Sequence, residues 1–283
     1  MAWEPPPDFL PAAAPKEAHM RKVDWESAGE KLIGYKNYIA FIIDNAFTES
    51  ECQQLIKAAE ASTITPDVPT PKWARAMVNA GNGKETMVTD TRNCGRILYD
   101  APVIAKRIMD RLRPFLIECG VDTIYDQGHI TGLGPVKRKE TLQMSRLNER
   151  LRFLKYEGGE YFRTHYDGAY VTPDGKERSL FTIHLYLNGD GEQDLSELAE
   201  AEKRVNEDGT YTNMDPSGKL LGGATSFHPD FMGSDDGGLR IFPKTGSVLL
   251  FQQRDLWHAG DDVYRGVKYT MRTEIMYSKV DRS

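Results

Sequence analysis

Three cysteines in 283 residues, Cys52, Cys94 and Cys119, leave little material for cross-linking. Their odd number and wide spacing exclude a disulfide framework and a cysteine-rich zinc site, so free or buried thiols are expected. No apolar run approaches the roughly 18–20 residues of a membrane helix. The start, Met1-Ala-Trp-Glu-Pro-Pro-Pro, lacks the basic and apolar segments of a secretory signal, and no Asn-x-Ser/Thr sequon occurs. A cytoplasmic protein without membrane contact is the expectation. Basic charge is also scarce: 36 Lys and Arg face 42 Asp and Glu, a formal net charge of −6. That balance gives no footing for nucleic acid. Gly132-x-Gly134 has Lys137 where a third glycine would stand, and neither a GK[ST] loop nor a G-x-S-x-G elbow occurs. Dinucleotide binding, P-loop chemistry and esterase-type acyl transfer are therefore excluded.

What remains is a globular composition, 40% hydrophobic and 28% charged, long enough to bury a sizeable core. Residues 1–20, with Pro5, Pro6, Pro7, Pro11 and Pro15, read as a flexible Pro-rich tail. Residues 21–147 read as helical and loop support. Tyr38 to Ile43 is a buried strand, and Thr48-Glu-Ser-Glu51 has the spacing of a capping box before Cys52, Leu55, Ile56 and Ala59. A second helix is expected after Asp100, begun by Pro102 and kinked or interrupted at Pro114. From 148 the period becomes two: LRFLKYE, LFTIHLYL, SVLLF and VKYTMRTEIMY all predict strands. An acidic insertion over about 189–221, with Asp190, Glu192, Asp194 and Glu197, divides them. Helices first and strands later predict an α+β domain or a β-barrel with helical buttresses; a mainly β fold with supporting α-helices, in one compact domain, is the expectation.

His165-x-Asp167 lies at the end of a strand-like run, and spacing of two puts both side chains on one side of an extended chain. An imidazole and a carboxylate need a third ligand to hold a transition metal firmly, and His258 follows the SVLLF strand. Two histidines and a carboxylate suit non-haem Fe(II) with open positions, and zinc accepts the same set. Further on, alternation places Lys268, Thr270, Arg272, Glu274 and Met276 on one strand face. Beside a metal triad, Lys268 is a candidate counter-charge for an anionic co-substrate, and Arg272 is a second.

Tyr156-Glu-Gly-Gly-Glu-Tyr-Phe-Arg-Thr-His165-Tyr-Asp167, Gly222-Gly-Ala-Thr225, Pro243-Lys-Thr-Gly246-Ser-Val-Leu-Leu-Phe251, His258 and Lys268 follow one another in order. Together they resemble the Fe(II)/2-oxoglutarate dioxygenases, in the prolyl 4-hydroxylase-like branch, over roughly Tyr38 to Lys279. The resemblance implies a double-stranded β-helix (a jelly roll, cupin-like) with residues 148–283 as its catalytic core. It implies Fe(II) on His165, Asp167 and His258, with 2-oxoglutarate and O2 as co-substrates. Lys268 would pair with the distal carboxylate of the keto acid, and Tyr156 and Thr182 would help hold it. Arg152 shares a face with Tyr156, and His184 shares one with Thr182. Arg152 and His184 would then stand near the substrate, or serve as buried polar groups of the barrel wall. Halogenating relatives have a small residue in place of the carboxylate, so Asp167 argues against a halogenase.

Hydroxylation of an aliphatic C–H bond, with succinate and CO2 released, is the activity implied. A small molecule such as an amino acid or secondary metabolite is the favoured substrate. A peptidyl prolyl-type hydroxylase is the alternative, and a silent jelly-roll binding module is disfavoured because triad and anchor are both complete.

Overall fold

The computed structural model describes residues 5–81, 84–204, 215–232 and 238–280. Eight strands of the C-terminal half are divided between two facing antiparallel sheets. Arg150–Glu157, Glu177–Tyr186, Val248–Gln252 and Val267–Val280 belong to the larger sheet. Tyr161–His165, Thr225–Phe227, Leu239–Ile241 and His258–Gly260 belong to the smaller one. This is the expected double-stranded β-helix. N-terminal segments extend both sheets: His19–Lys22, Ala40–Asp44 and Gly95–Asp100 widen the larger, and Arg92–Asn93 ends the smaller.

Val267–Val280 organises the larger sheet. One edge pairs with Glu177–Tyr186, while the other pairs first with Arg150–Glu157 and then with Thr141–Leu147. The register sets Tyr156 opposite Lys268 and Arg152 opposite Arg272. Across the other edge, Thr182 faces Glu274 and His184 faces Arg272. Strand alternation sends these residues to the face that looks at the smaller sheet. Phe153, Phe181, Ile183, Leu185, Met271 and Ile275 go to the opposite face, inside the main apolar core.

Two helices cover that apolar face. Glu49–Ala61 (α1) starts with the expected capping box between Thr48 and Glu51 and buries Cys52, Leu55, Ala58 and Ala59. Pro102–Glu118 (α2) buries Ile104, Ile108, Leu112 and Leu116 and runs through Pro114 without ending there. A proline inside a helix costs about 3 kcal/mol. Continuous burial of the apolar stripe on both sides of Pro114 outweighs that loss, which corrects the expected interruption.

The described part of the N-terminal segment is packed, in contrast to the expected flexible tail. Phe9 and Leu10 are buried in the main core. Arg107 donates to the carbonyls of Pro6 and Phe9, and Arg111 donates to that of Pro11. Arg111 also forms a two-pronged pair with Glu51 at 2.7 and 2.8 Å, tying the segment to both helices. In the acidic insertion, Asp194 caps an eight-residue helix, Leu195–Glu202, through the amides of Ser196 and Glu197. Residues 205–214 of the insertion lie outside the described residues.

Candidate metal centre and its cavity

Tyr161–His165 and His258–Gly260 are hydrogen-bonded neighbours in the smaller sheet, and His165 stands directly opposite His258. Long-range pairing, more than local sequence, therefore brings the two imidazoles together, with ring centroids 4.4 Å apart. Asp167 follows two residues beyond the strand end and sits beneath them. Its carboxylate oxygens lie 3.8 Å from His165 Nε2 and 3.9 Å from His258 Nε2. Ligand atoms of the three residues all fall within 4.8 Å of one another, the one such cluster among the described residues.

The donor set suits a divalent transition metal. Nδ1 of His165 lies 2.8 Å from the Arg163 carbonyl, and Nδ1 of His258 lies 3.0 Å from that of Leu256. A carbonyl can only accept, so Nδ1 carries the proton in each ring and Nε2 keeps its lone pair toward the centre. Burial holds both imidazoles below their ordinary pKa, so they are neutral, as metal ligation requires. For Asp167 burial acts the other way. Arg272 first, then the two imidazoles and the Thr182 hydroxyl, overcome it and hold the carboxyl well below the usual carboxylate range.

Both Asp167 oxygens are engaged from the larger sheet. Thr182 Oγ1 donates to Oδ2, and Arg272 Nη2 lies 2.9 Å from Oδ1. Arg272 is steadied by Glu274 at 3.6 Å, and Glu274 accepts from Arg152 at 2.8 Å and from Asn148 at 2.9 Å. Thr182 thus serves the metal-side carboxylate and does not line the cavity, unlike the keto-acid contact expected for it. Arg152 likewise is held by Glu274 and lies outside the cavity wall.

His165, Asp167 and His258 open into a cleft between the two sheets whose empty space, open solvent included, is about 440 Å3. Leu154, Phe162, Phe251 and Ala259 give it apolar walls; Tyr156, His184, Lys268 and Arg272 reach it from the larger sheet. Lys268 is 1% exposed, and its Nζ lies 5.0 Å from the Tyr156 ring centroid. No carboxylate pairs with it among the described residues, and burial pushes its pKa down to about 8, against a smaller upward pull from Asp261. His184 presents a buried Nε2 with no hydrogen-bond partner.

Two wall residues escaped the sequence reading. Thr225 accepts a hydrogen bond from the Tyr186 hydroxyl at 2.8 Å, which leaves its own proton for an acceptor in the cavity. Its Gly-Gly-Ala-Thr context was the available signal. Arg92 arrives from a polar stretch whose sequence carries no such signal, through the pairing of Arg92 with Phe162 at the sheet edge.

No family model matches the chain, and no curated protein matches it. Similar solved structures include a viral collagen prolyl hydroxylase from Paramecium bursaria Chlorella virus-1, in complex with 2-oxoglutarate. It is 20% identical with a TM-score of 0.43, and the match covers 84% of this chain and 96% of that one. A prolyl-4-hydroxylase from Pseudomonas putida is 13% identical over 85% and 94% of the two chains, with a TM-score of 0.46. A prolyl hydroxylase from Trichoplax adhaerens, complexed with a hypoxia inducible factor peptide fragment, is 14% identical over 84% and 83%, with a TM-score of 0.46. No helix of the described residues is long and apolar enough to cross a membrane.

Proposed function

We propose that the chain is a non-haem Fe(II)/2-oxoglutarate-dependent dioxygenase of the prolyl 4-hydroxylase-like branch, hydroxylating an aliphatic C–H bond of a small molecule. One observation carries the reading: a two-histidine, one-carboxylate face and a buried lysine without a counter-ion open into the same cavity. His165 Nε2, His258 Nε2 and Asp167 would hold the metal on one side only, leaving the cavity side free. Fe(II), 2-oxoglutarate and O2 together supply an oxidant able to hydroxylate an unactivated C–H bond, with succinate and CO2 as the other products.

The protein's part is positional and electrostatic. Lys268 offers its charge to the distal carboxylate of the keto acid, and Tyr156 and Thr225 line the same cavity as candidate hydroxyl donors. Arg272 and Thr182 hold the Asp167 oxygens, so the carboxylate is oriented before any metal arrives. Phe162 stacks on His165 at 3.6 Å between centroids, and Phe251 meets His258 edge-on at 4.7 Å. Those rings give the two imidazoles apolar neighbours in the cavity wall.

Within this reading the substrate is a small molecule such as an amino acid or secondary metabolite. A peptidyl prolyl-type hydroxylase is a second reading, favoured by one surface feature. Tyr166 and Phe231, 50% and 64% exposed, pack edge-on against Trp257 at 4.8 and 5.7 Å, and Tyr166 and Trp257 are chain neighbours of the metal-ligand candidates. An exposed aromatic group of this kind suits an extended Pro-rich segment.

An anaerobic titration of metal-free protein with Fe(II) and then 2-oxoglutarate tests the reaction class. A visible metal-to-ligand charge-transfer band that His165→Ala abolishes is expected, and its absence from folded wild-type protein would overturn the reading. Substrate-stimulated succinate release, screened with free amino acids and prolyl peptides, separates the two substrate classes.

A further inference from the structure

Each cation of the cavity wall except one has an assigned partner. Arg272 is neutralised by Asp167 and Glu274, and Glu274 in turn engages Arg152 outside the wall. Lys268 is reserved for the keto acid. The exception is Arg92, which is 7% exposed and lines the cavity. Its guanidinium makes no ion pair among the described residues, and its one hydrogen bond is a 3.3 Å contact from Nη1 to the Met77 carbonyl. Its Nε is buried without any acceptor, as is that of Arg272, but Arg272 has its two carboxylates and Arg92 has none.

A guanidinium removed from water with its hydrogen bonds unmade is costly, because burial strips hydration that nothing in the chain replaces. Its position is nonetheless well defined. Pairing of Arg92 with Phe162 fixes the backbone, and the guanidinium carbon lies 4.4 Å above the Phe162 ring centroid. Phe162 stacks in turn on His165, so a single aromatic ring links this cation to a metal-ligating imidazole. A planar fork of donors held beside the reaction centre matches a carboxylate better than any neutral group.

We infer that Arg92 receives a carboxylate of the substrate, which makes the substrate class a small carboxylic acid, such as a free amino acid, and not an internal residue of a peptide. The inference rests on the proposed oxygenase activity and specifies what that same site takes.

Ligand-observed saturation-transfer NMR tests it on protein loaded with Zn(II), as a diamagnetic substitute, and saturating 2-oxoglutarate. The probes are the twenty L-amino acids, C2–C6 monocarboxylic acids, their primary amides and an end-blocked prolyl peptide. At least one acid should bind while its amide does not, and Arg92→Gln should weaken that acid at least tenfold, with partial recovery in Arg92→Lys. Neither variant should change the 2-oxoglutarate titration of the Fe(II) protein more than twofold, which also shows that each is folded. Binding of acids and amides alike, an acid undiminished in Arg92→Gln, preference for the blocked peptide, or no acid bound at 10 mM would each overturn the inference. So would a keto-acid titration that shifts with Arg92, which would assign that residue to the co-substrate. Failure of the wild-type charge-transfer band would instead bring down the oxygenase reading itself.

Discussion

Replacing Lys268 by Met should weaken the co-substrate complex and strengthen the empty protein, and the structure fixes the size of both effects. The amine is 1% exposed with no ion-pairing carboxylate among the described residues, and burial lowers its pKa from 10.5 to about 8. A displacement of that size corresponds to about 3 kcal/mol of unfavourable folding free energy at neutral pH. The unfolded chain binds this proton more tightly than the folded one. The cost is therefore fully present below about pH 8 and disappears as pH rises toward the ordinary lysine value of 10.5. Met has similar length and no charge, so the metal-free variant should gain about 1–3 kcal/mol in urea unfolding at pH 7.

The same change removes one member of the buried pair that 2-oxoglutarate would complete. Loss of such a partner costs roughly 3–5 kcal/mol, about a hundredfold to several-thousandfold in affinity. Anaerobic titration of the Fe(II) protein, followed by the charge-transfer band, reads that loss directly. In the wild type the keto acid binds the protonated amine, so its dissociation constant should rise above about pH 8, by up to tenfold per unit, and stay flat in the variant. An affinity within threefold of wild type, or a variant less stable than the parent, would refute the reasoning. Arg272 could not then be substituted as the anchor without explaining how it leaves Asp167 and Glu274.

Thr182→Val keeps shape and removes the donor to Asp167 Oδ2, so Fe(II) affinity should fall roughly tenfold to hundredfold while urea stability changes little. Direct metal titration checks this, and unchanged affinity would return Thr182 to a purely structural role. Arg111→Met breaks the buried pair with Glu51 and frees the N-terminal segment, costing about 3 kcal/mol in unfolding free energy. Because Arg111 is remote from the cavity, the charge-transfer titration of that variant should match wild type. Gly246→Ala demands a side chain at φ +76°, directed at the Phe47 carbonyl, and should cost at least about 2 kcal/mol in thermal unfolding. A melting temperature equal to wild type would show that this turn relaxes freely.

Which side of each strand faces the site was legible in the sequence, because side-chain direction in a strand alternates with strict period two. That rule placed Lys268 with Arg272 and Glu274, and Thr182 with His184, before any pairing was known. Alternation does not say which residue lies opposite which. Thr182 shows the consequence: its inward direction is as expected, yet its partner is decided by how the chain turns after His165 to bring Asp167 under it. Arg92 was invisible for the same reason, since a two-residue strand at a sheet edge has no periodic signature. The N-terminal prolines misled because composition describes the chain before contact. Two arginines of α2 capture the carbonyls between those prolines, and Phe9 and Leu10 supply the apolar anchor.

The inner face of the larger sheet offers a general argument about where to look for function in such a barrel. A sheet interior carrying Arg152, Thr182, His184, Lys268, Arg272 and Glu274 is expensive unless every group finds a partner. Much of it does: Arg152 with Glu274, Arg272 with Asp167, Thr182 with Asp167. Those pairs fold as an internally neutral network and would persist in a silent relative. The groups left over are different in kind. Lys268 without an ion pair and His184 with a bare Nε2, joined from the smaller sheet by Arg92 with a bare Nε, all border the cavity that also holds the metal-ligand cluster. Folding alone gives no reason to bury three such groups together. Their common address is best explained by ligands that satisfy them, and this makes residual polarity, after internal pairs are subtracted, the sharper guide to co-substrate and substrate.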